Sequence, residues 1–100
     1  MEALAIDFDG VLHDHKHPIE GRKMGPPMEG AKEAMELLSL KYKLIIHSVR
    51  AITPSVIENW MKYWEIPYHE ITNIKPTATF YIDDRALLFK DWKSTIELLG

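Results

Sequence analysis

Four aspartates stand directly after apolar segments of the chain, two near its beginning and two near its end. Asp7 and Asp9 follow one apolar run, and Asp83 and Asp84 follow a second run rich in β-branched and aromatic residues. Carboxylates that converge beside hydrophobic segments repel one another and are poorly solvated when ionised. A hard cation relieves this repulsion, and Mg²⁺ prefers carboxylate, water and phosphate oxygens as ligands. The four aspartates therefore predict a Mg²⁺ site and favour phosphoryl transfer as its chemistry.

The spacing of the first pair suits a two-step phosphoryl transfer. Side chains two residues apart on an extended segment point the same way. Asp7 can therefore attack phosphorus and form an aspartyl-phosphate, while Asp9 protonates the leaving oxygen and later activates water. A hydroxyl and a cation would hold the other phosphoryl oxygens, and Ser48 and Lys75 are the residues that fit those places.

The hydrophobic pattern indicates how the chain brings these residues together. Short aliphatic runs predict buried strands of a parallel sheet, and apolar residues at steps of three and four predict helices between them. This alternation predicts an α/β fold with right-handed crossovers, in which polar residues at the carboxyl ends of the strands meet at one edge of the sheet. The predicted strands cover residues 3–8, 43–49 and 77–82, with a short edge strand within residues 68–72. The first predicted helix runs from Pro27 to Leu40, and the second runs from Pro54 to Trp64 with Thr53 as its cap. A last helix is predicted to follow Asp91, which would cap it.

The composition is that of one ordinary globular domain. The chain has 100 residues, of which 46% are hydrophobic and 27% charged, and we expect residues 1–100 to form a single domain. It contains no cysteine, which excludes disulfides, thiolate zinc sites and cysteine nucleophiles. A net charge of −3 provides no overall attraction to nucleic acid. Because no apolar run is long enough for a membrane span and the first residues do not form a signal peptide, we expect no membrane partner and a cytoplasmic location.

In its polar motifs the chain resembles the haloacid dehalogenase-like (HAD) superfamily of Mg²⁺-dependent phosphohydrolases. Residues 7–12, Asp-Phe-Asp-Gly-Val-Leu, are similar to the family's DxDGxL-type first motif, and the hydrophobic strand that ends in Ser48 stands in the place of the second. Lys75, in Ile-Lys-Pro, stands in the place of the third motif, and residues 80–84, Phe-Tyr-Ile-Asp-Asp, in that of the fourth. The resemblance covers most of the chain and implies a small Rossmann-like, three-layer sandwich around the parallel sheet.

The resemblance also implies roles for individual residues. Asp7 would be the nucleophile and Asp9 the general acid and base of a phosphomonoester hydrolase, with Mg²⁺ as the cofactor. The metal ligands would be the Asp7 carboxylate, the Asp9 main-chain carbonyl and the Asp83 carboxylate, with Asp84 beside them. The residues implied to bind the phosphorylated substrate are Ser48, Lys75, Gly10 and Arg50.

Two features depart from the family's usual pattern. The family places its lysine at the start of a helix before the last motif strand, whereas only residues 76–79 separate Lys75 from Phe80. Arg50 or Arg85 is therefore an alternative source of the positive charge. The chain also lacks a stretch long enough for the large cap domain of many members, so it resembles a minimal, capless member. Such members act on bulky phosphomonoesters, such as nucleic-acid ends or phosphoproteins, or use a neighbouring subunit as a lid, which leaves a macromolecular substrate and a homo-oligomer open.

The segment from Gly10 to Gly25 follows the expected nucleophile directly and is predicted to be a long loop or a small hairpin that contacts the substrate. His13, His15 and His17 alternate in it, so on an extended ribbon they would share one face. Such a set could clip a metal ion, lie in solvent or steer an anionic substrate, and the sequence leaves these alternatives open. The loop also offers Arg22 and Lys23 as contacts for the substrate.

Other interpretations of the same residues are weaker. An EF-hand loop is excluded, because Gly10 comes two positions too early and no glutamate closes the loop. A phosphoryl-accepting switch module, similar to response-regulator receivers, would also combine acids, a hydroxyl, a lysine and Mg²⁺. Receivers carry their acidic pair after the first strand and a single phosphorylated aspartate later, and the order here differs. A nucleic-acid- or protein-binding module of the same fold without turnover is the remaining alternative.

Overall fold

The fold alternates strands and helices along the chain, which confirms the α/β class predicted from the sequence. The computed structural model describes residues 2–14, 16, 24–48, 54–73, 78, 80–82 and 90–99. No helix in these ranges is long and apolar enough to cross a membrane. In chain order the elements are β1 (Glu2–Asp7), α1 (Ala31–Leu38), β2 (Tyr42–His47), α2 (Pro54–Tyr63), β3 (Glu70–Thr72), β4 (Phe80–Ile82) and α3 (Trp92–Leu99).

The strands named above form one sheet in the order β3-β2-β1-β4, and every neighbouring pair is parallel. The register places Asp7 opposite His47 of β2, and Ile6 opposite Ile82 of β4. The predicted parallel sheet is thus confirmed, and β3 is the short edge strand expected within residues 68–72. Since all of these strands run in the same direction, each of them ends at the sheet edge where Asp7 lies.

One hydrophobic core lies between the sheet and the helices, and its members come from alternate strand positions and from all three helices. Ala5 and Ile45 are also buried, but they alternate with the core residues along β1 and β2 and therefore face the other side of the sheet. The helix α1 contacts α3, and an ion pair of 3.6 Å between Lys32 Nζ and Glu65 Oε2 joins it to the residues after α2. The helices of the described ranges therefore cover one face, and a second helical layer stays a prediction. Fully buried core residues include Leu4, Ile6, Phe8, Met35, Leu44, Ile46, Met61 and Trp92.

The first helix begins later than the sequence predicts. The expected helix covers residues 27–40, but α1 begins at Ala31, directly after Gly30 in the left-handed conformation with a φ of 79°. The segment before Gly30 pairs instead with the loop after β1, where the Met28 N–H donates to the Leu12 carbonyl oxygen over 2.7 Å. This pairing competes with a first helical turn, and the left-handed glycine lets the chain change direction before the helix starts.

Asp91 caps α3, as the sequence predicts. Its Oδ1 atom accepts a hydrogen bond from the Ser94 main-chain N–H over 2.7 Å, and its carbonyl oxygen accepts one from the Thr95 N–H over 3.2 Å. The hydrogen bonds from Ser94, with help from the positive charges of Lys90 and Lys93, hold the pKa of the Asp91 carboxyl group below its ordinary value of 3.8. The ionised form of Asp91 therefore stabilises the start of α3.

This cap makes part of the stability depend on pH. Because the folded-state pKa of Asp91 is lowered, its contribution is present above pH 3.8 and is lost as the pH falls through the lower folded-state value. We expect the Asp91→Asn variant, which keeps a capping oxygen without the charge, to lose less stability than the wild type between about pH 5 and about pH 3. Urea unfolding followed by circular dichroism measures both proteins. If the free energy of unfolding fell by the same amount in both proteins as the pH is lowered, a role for the Asp91 charge would be contradicted.

Candidate functional site

The candidate site lies at the carboxyl edge of the sheet, where β1 and β2 end side by side. Asp7 is the last residue of β1 and lies opposite His47, the last residue of β2. Ser48 follows at once, and its N–H donates to the carbonyl oxygen of Thr72 at the end of β3 over 3.2 Å. The parallel register thus places Asp7 and Ser48 at neighbouring strand ends, as the sequence predicts.

The carboxylate of Asp7 is half-buried and tied to the main chain. The Phe8 N–H is shared between Asp7 Oδ1 at 3.0 Å and the carbonyl oxygen of His47 at 3.1 Å. This hydrogen bond limits the directions in which the carboxylate can point. A nucleophile gains from such restraint, because attack requires a fixed approach to the reacting atom.

Ser48 carries a buried hydroxyl that the described residues leave unpaired. The residue is 2% exposed, and its Oγ atom has no hydrogen-bond partner in this part of the chain. A buried polar group without a partner costs roughly 1–3 kcal/mol, so its presence requires an explanation such as a ligand or a functional role. A hydroxyl can donate one hydrogen bond, and the oxygens of a bound phosphoryl group would accept it.

Asp9 is paired with a buried histidine. Asp9 Oδ1 and His13 Nδ1 are 2.8 Å apart, and His13 Nε2 accepts the Gly25 main-chain N–H over 2.8 Å. Because Nε2 acts as an acceptor, the ring proton belongs on Nδ1, and His13 donates it to Asp9 as a neutral imidazole. His13 is 2% exposed. The interpretation of this histidine as a solvent-exposed residue is therefore wrong, because protein atoms bind both of its ring nitrogens.

A tight turn holds Asp9 just beyond β1. The Phe8 carbonyl oxygen accepts the N–H groups of Leu12 and His13 over 3.0 and 2.9 Å, and the Gly10 N–H donates to the His13 carbonyl oxygen over 2.9 Å. Gly10 has a φ of 79°, a left-handed conformation that costs a glycine little because it has no Cβ atom. The backbone of this turn explains why a glycine follows Asp9.

Two tryptophans anchor the adjoining loop to the helices. Trp92 Nε1 of α3 donates to the Val11 carbonyl oxygen over 2.9 Å, and Trp60 Nε1 of α2 donates to the Gly25 carbonyl oxygen over 2.9 Å. Trp60 also meets the ring of His13 edge-on, with 5.5 Å between the ring centroids. The start and the end of the segment between Gly10 and Gly25 are therefore both attached to the helical layer.

Other predicted site residues lie outside the described ranges. The strand β4, which precedes Asp83 in the sequence, ends at the same edge of the sheet, with Ile82 opposite Ile6. Among the described residues, no group of three or more His, Cys, Asp or Glu side chains is close enough to hold a metal ion. The predicted residues outside the described ranges are Asp83, Asp84, Lys75, Arg50 and Arg85, with His15, His17, Arg22 and Lys23 of the loop and Thr53 before α2.

The class of the protein is defined by its own fold and site. Comparisons with protein-family models, with curated proteins and with solved structures find no match to this chain. The chain is an α/β protein with a parallel sheet, and an acidic strand end lies beside a buried hydroxyl at the edge of that sheet.

Sequence patterns place His13 in a loop that is predicted to contact the substrate, but they do not predict that it binds Asp9 or that Gly25 and Trp60 hold its ring. The separation of four residues between Asp9 and His13 is a weak local signal, because a single turn can bring such residues into contact. The hydrogen bond from Trp60 to Gly25 spans 35 residues. Helical spacing predicts only that Trp60 is buried, which is confirmed by its exposure of 6%.

Proposed function

We propose that this protein is a Mg²⁺-dependent phosphomonoester hydrolase that works through an aspartyl-phosphate on Asp7. The observation that carries the proposal is the placement of the Asp7 carboxylate and the unpaired Ser48 hydroxyl at neighbouring strand ends, with Asp9 held just beyond them. This arrangement supports attack by a carboxylate on a phosphorus whose oxygens are held by hydrogen-bond donors. The resemblance of the motifs to the HAD superfamily points to the same chemistry.

The donor set of the site fits Mg²⁺. Carboxylate and carbonyl oxygens are the ligands that this hard cation prefers, and the imidazole nitrogens of His13 are already bound by protein atoms. The proposed ligands are the Asp7 and Asp83 carboxylates and the Asp9 main-chain carbonyl, with Asp84 beside them. When bound, Mg²⁺ would neutralise negative charge on the carboxylates and on the phosphoryl group.

The first step transfers the phosphoryl group to the protein. A carboxylate oxygen of Asp7 forms a bond to phosphorus while the bond between phosphorus and the ester oxygen breaks. Asp9, protonated at this stage, gives its proton to the departing oxygen, which leaves as an alcohol. The step leaves a phosphorylated Asp7 and an ionised Asp9.

The second step returns the protein to its starting state. Asp9 takes a proton from a water molecule as the water oxygen forms a bond to phosphorus. The bond between phosphorus and the Asp7 oxygen breaks, and inorganic phosphate leaves. One water molecule is consumed for each ester that is converted to an alcohol and phosphate.

Four residues are proposed to hold the phosphoryl group during these steps. Ser48 donates its hydroxyl hydrogen to one phosphoryl oxygen, and Lys75 supplies a positive charge, with Arg50 as a second cation. Gly10 lies in the turn beyond Asp9, where the lack of a side chain leaves room for the substrate. Held oxygens keep phosphorus in place for the attack by Asp7.

The proposed substrate class is a phosphomonoester. A macromolecular ester, such as a nucleic-acid end or a phosphoprotein, is compatible with the proposed capless, Rossmann-like, three-layer form of the domain. A homo-oligomer in which a neighbouring subunit covers the site is compatible with it as well. The chain has no cysteine, and we keep the cytoplasm as the proposed location.

A phosphatase screen tests the proposal. Purified protein is incubated with p-nitrophenyl phosphate, nucleotides, sugar phosphates, phosphopeptides and end-phosphorylated oligonucleotides, each with Mg²⁺ or with EDTA. We expect phosphate release that requires Mg²⁺ and falls about 100-fold or more in EDTA, because the carboxylates then repel the phosphoryl group. Undiminished release in EDTA would contradict the metal dependence. Absence of release from every substrate would contradict the proposed function.

A further inference from the structure

A buried histidine connects the proposed general acid to the far end of the adjoining loop. His13 Nδ1 is 2.8 Å from Asp9 Oδ1, and His13 Nε2 is 2.8 Å from the nitrogen of Gly25. The side chain of Asp9 is 16% exposed and that of His13 is 2% exposed, so water competes little for this hydrogen bond. The pair is therefore held by the protein rather than by solvent.

The ring of His13 is fixed in position as well as in tautomer. It stacks on the ring of Phe8 with 5.0 Å between the centroids and 15° between the planes, and it makes a T-shaped contact with Trp60 at a centroid distance of 5.5 Å. Gly25, which binds Nε2, is itself held through its carbonyl oxygen by Trp60 Nε1. Because the ring is fixed in place and its Nε2 atom accepts the Gly25 N–H, its only N–H donor is Nδ1–H, which points in one direction.

We infer that His13 is a positioning residue of the reaction, whose Nδ1–H holds the Asp9 carboxyl group in one orientation for proton delivery to the leaving oxygen. The inference rests on the proposed function, because it takes Asp9 as the general acid. The hydrogen bond occupies Oδ1, so the proton that Asp9 transfers belongs on Oδ2. A carboxyl group that cannot rotate presents this proton in a constant direction, and misplacement of a catalytic group by about 1 Å costs roughly 100-fold in rate.

A purely structural role for His13 is the alternative, since its ring also packs against the rings of Phe8 and Trp60. Two variants separate the roles. The amide nitrogen of an asparagine takes the place of Nδ1, so His13→Asn keeps a donor toward Asp9 and loses the acceptor for Gly25. His13→Gln places its amide near Nε2, so it keeps the acceptor for Gly25 and loses the donor toward Asp9. Both variants lose the ring, so their structural costs are matched.

The readout is the dependence on the leaving group, because only a poor leaving group needs a proton from Asp9. For an alkyl phosphate such as β-glycerophosphate, we expect kcat/KM to fall about 10- to 100-fold in His13→Gln and less than about threefold in His13→Asn. For p-nitrophenyl phosphate, whose leaving group departs without a proton, kcat/KM of both variants is expected to stay within about threefold of the wild type, because kcat/KM does not include the later attack of water that Asp9 also assists. The midpoint of urea unfolding is measured for both and is expected to be similarly lowered.

A double variant tests whether His13 acts through Asp9. Because Asp9→Asn already removes the transferable proton, we expect Asp9→Asn/His13→Gln to turn over the alkyl phosphate no more slowly than Asp9→Asn alone. Additive losses, or equal losses in His13→Asn and His13→Gln on both substrates, would overturn the positioning role while the wild type remains an active phosphatase. A wild type that hydrolyses neither substrate would instead overturn the proposed function, and the inference with it.

Discussion

The Asp7→Asn variant is expected to fold normally and to lose phosphatase activity by a factor of about 10⁴ or more. An amide is a far weaker nucleophile than a carboxylate, and the proposed mechanism has no second group that can accept the phosphoryl group. The measurement is turnover of p-nitrophenyl phosphate with Mg²⁺, together with circular dichroism and urea unfolding of both proteins. The wild type is also expected to form a phosphoprotein that hydroxylamine cleaves, and the variant is expected to form none.

The control for the change in charge is Glu36→Gln. Glu36 lies on the exposed face of α1, away from the strand ends, and its substitution removes one negative charge as Asp7→Asn does. We expect its activity to remain within about twofold of the wild type, as is usual for a surface substitution far from the site. Robust turnover by a well-folded Asp7→Asn protein would rule out the aspartyl-phosphate.

The largest expected loss of stability follows from Phe8→Ala. Phe8 is fully buried, and its ring stacks on His13 and meets Trp60 edge-on with centroid distances of 5.0 Å in both cases. Truncation of a buried phenylalanine to alanine costs about 3–5 kcal/mol, because apolar contacts are lost and a cavity remains. The free energy of unfolding of such a domain is only about 5–15 kcal/mol, so the variant is expected to be partly unfolded at 37 °C.

Two matched substitutions show whether this loss comes from the cavity. Phe8→Leu keeps most of the apolar volume and is expected to lose much less stability than Phe8→Ala. Leu37→Ala removes a side chain that is 56% exposed on α1, and we expect a change within about 0.5 kcal/mol. Free energies from urea unfolding of the three variants give the comparison. A loss below about 1 kcal/mol in Phe8→Ala would show that Phe8 is not part of a close-packed core.

Local patterns in the sequence predict most of the secondary structure in the described ranges. The runs that become β1 and β2 are short and aliphatic, and a strand buried on both faces requires such a run. The apolar residues Ile57, Trp60 and Met61 recur at helical spacing and are buried on the inner face of α2. The start of α1 could not be predicted in this way, because it depends on hydrogen bonds between residues 26–28 and the distant loop after β1.

The sequence likewise predicts one part of the candidate site and not the other. The sequence alone determines that acids and a hydroxyl follow buried strands, and the parallel direction of those strands suffices to predict that Asp7 and Ser48 end at one edge. Only the tertiary structure shows that His13 binds Asp9 and Gly25 together, and that Trp60 holds Gly25 from a helix 35 residues further along the chain. Periodicity reports which face of an element is buried, because burial repeats with the backbone geometry. It does not report which buried side chain meets which distant main-chain atom, because that choice depends on how separate elements pack against one another.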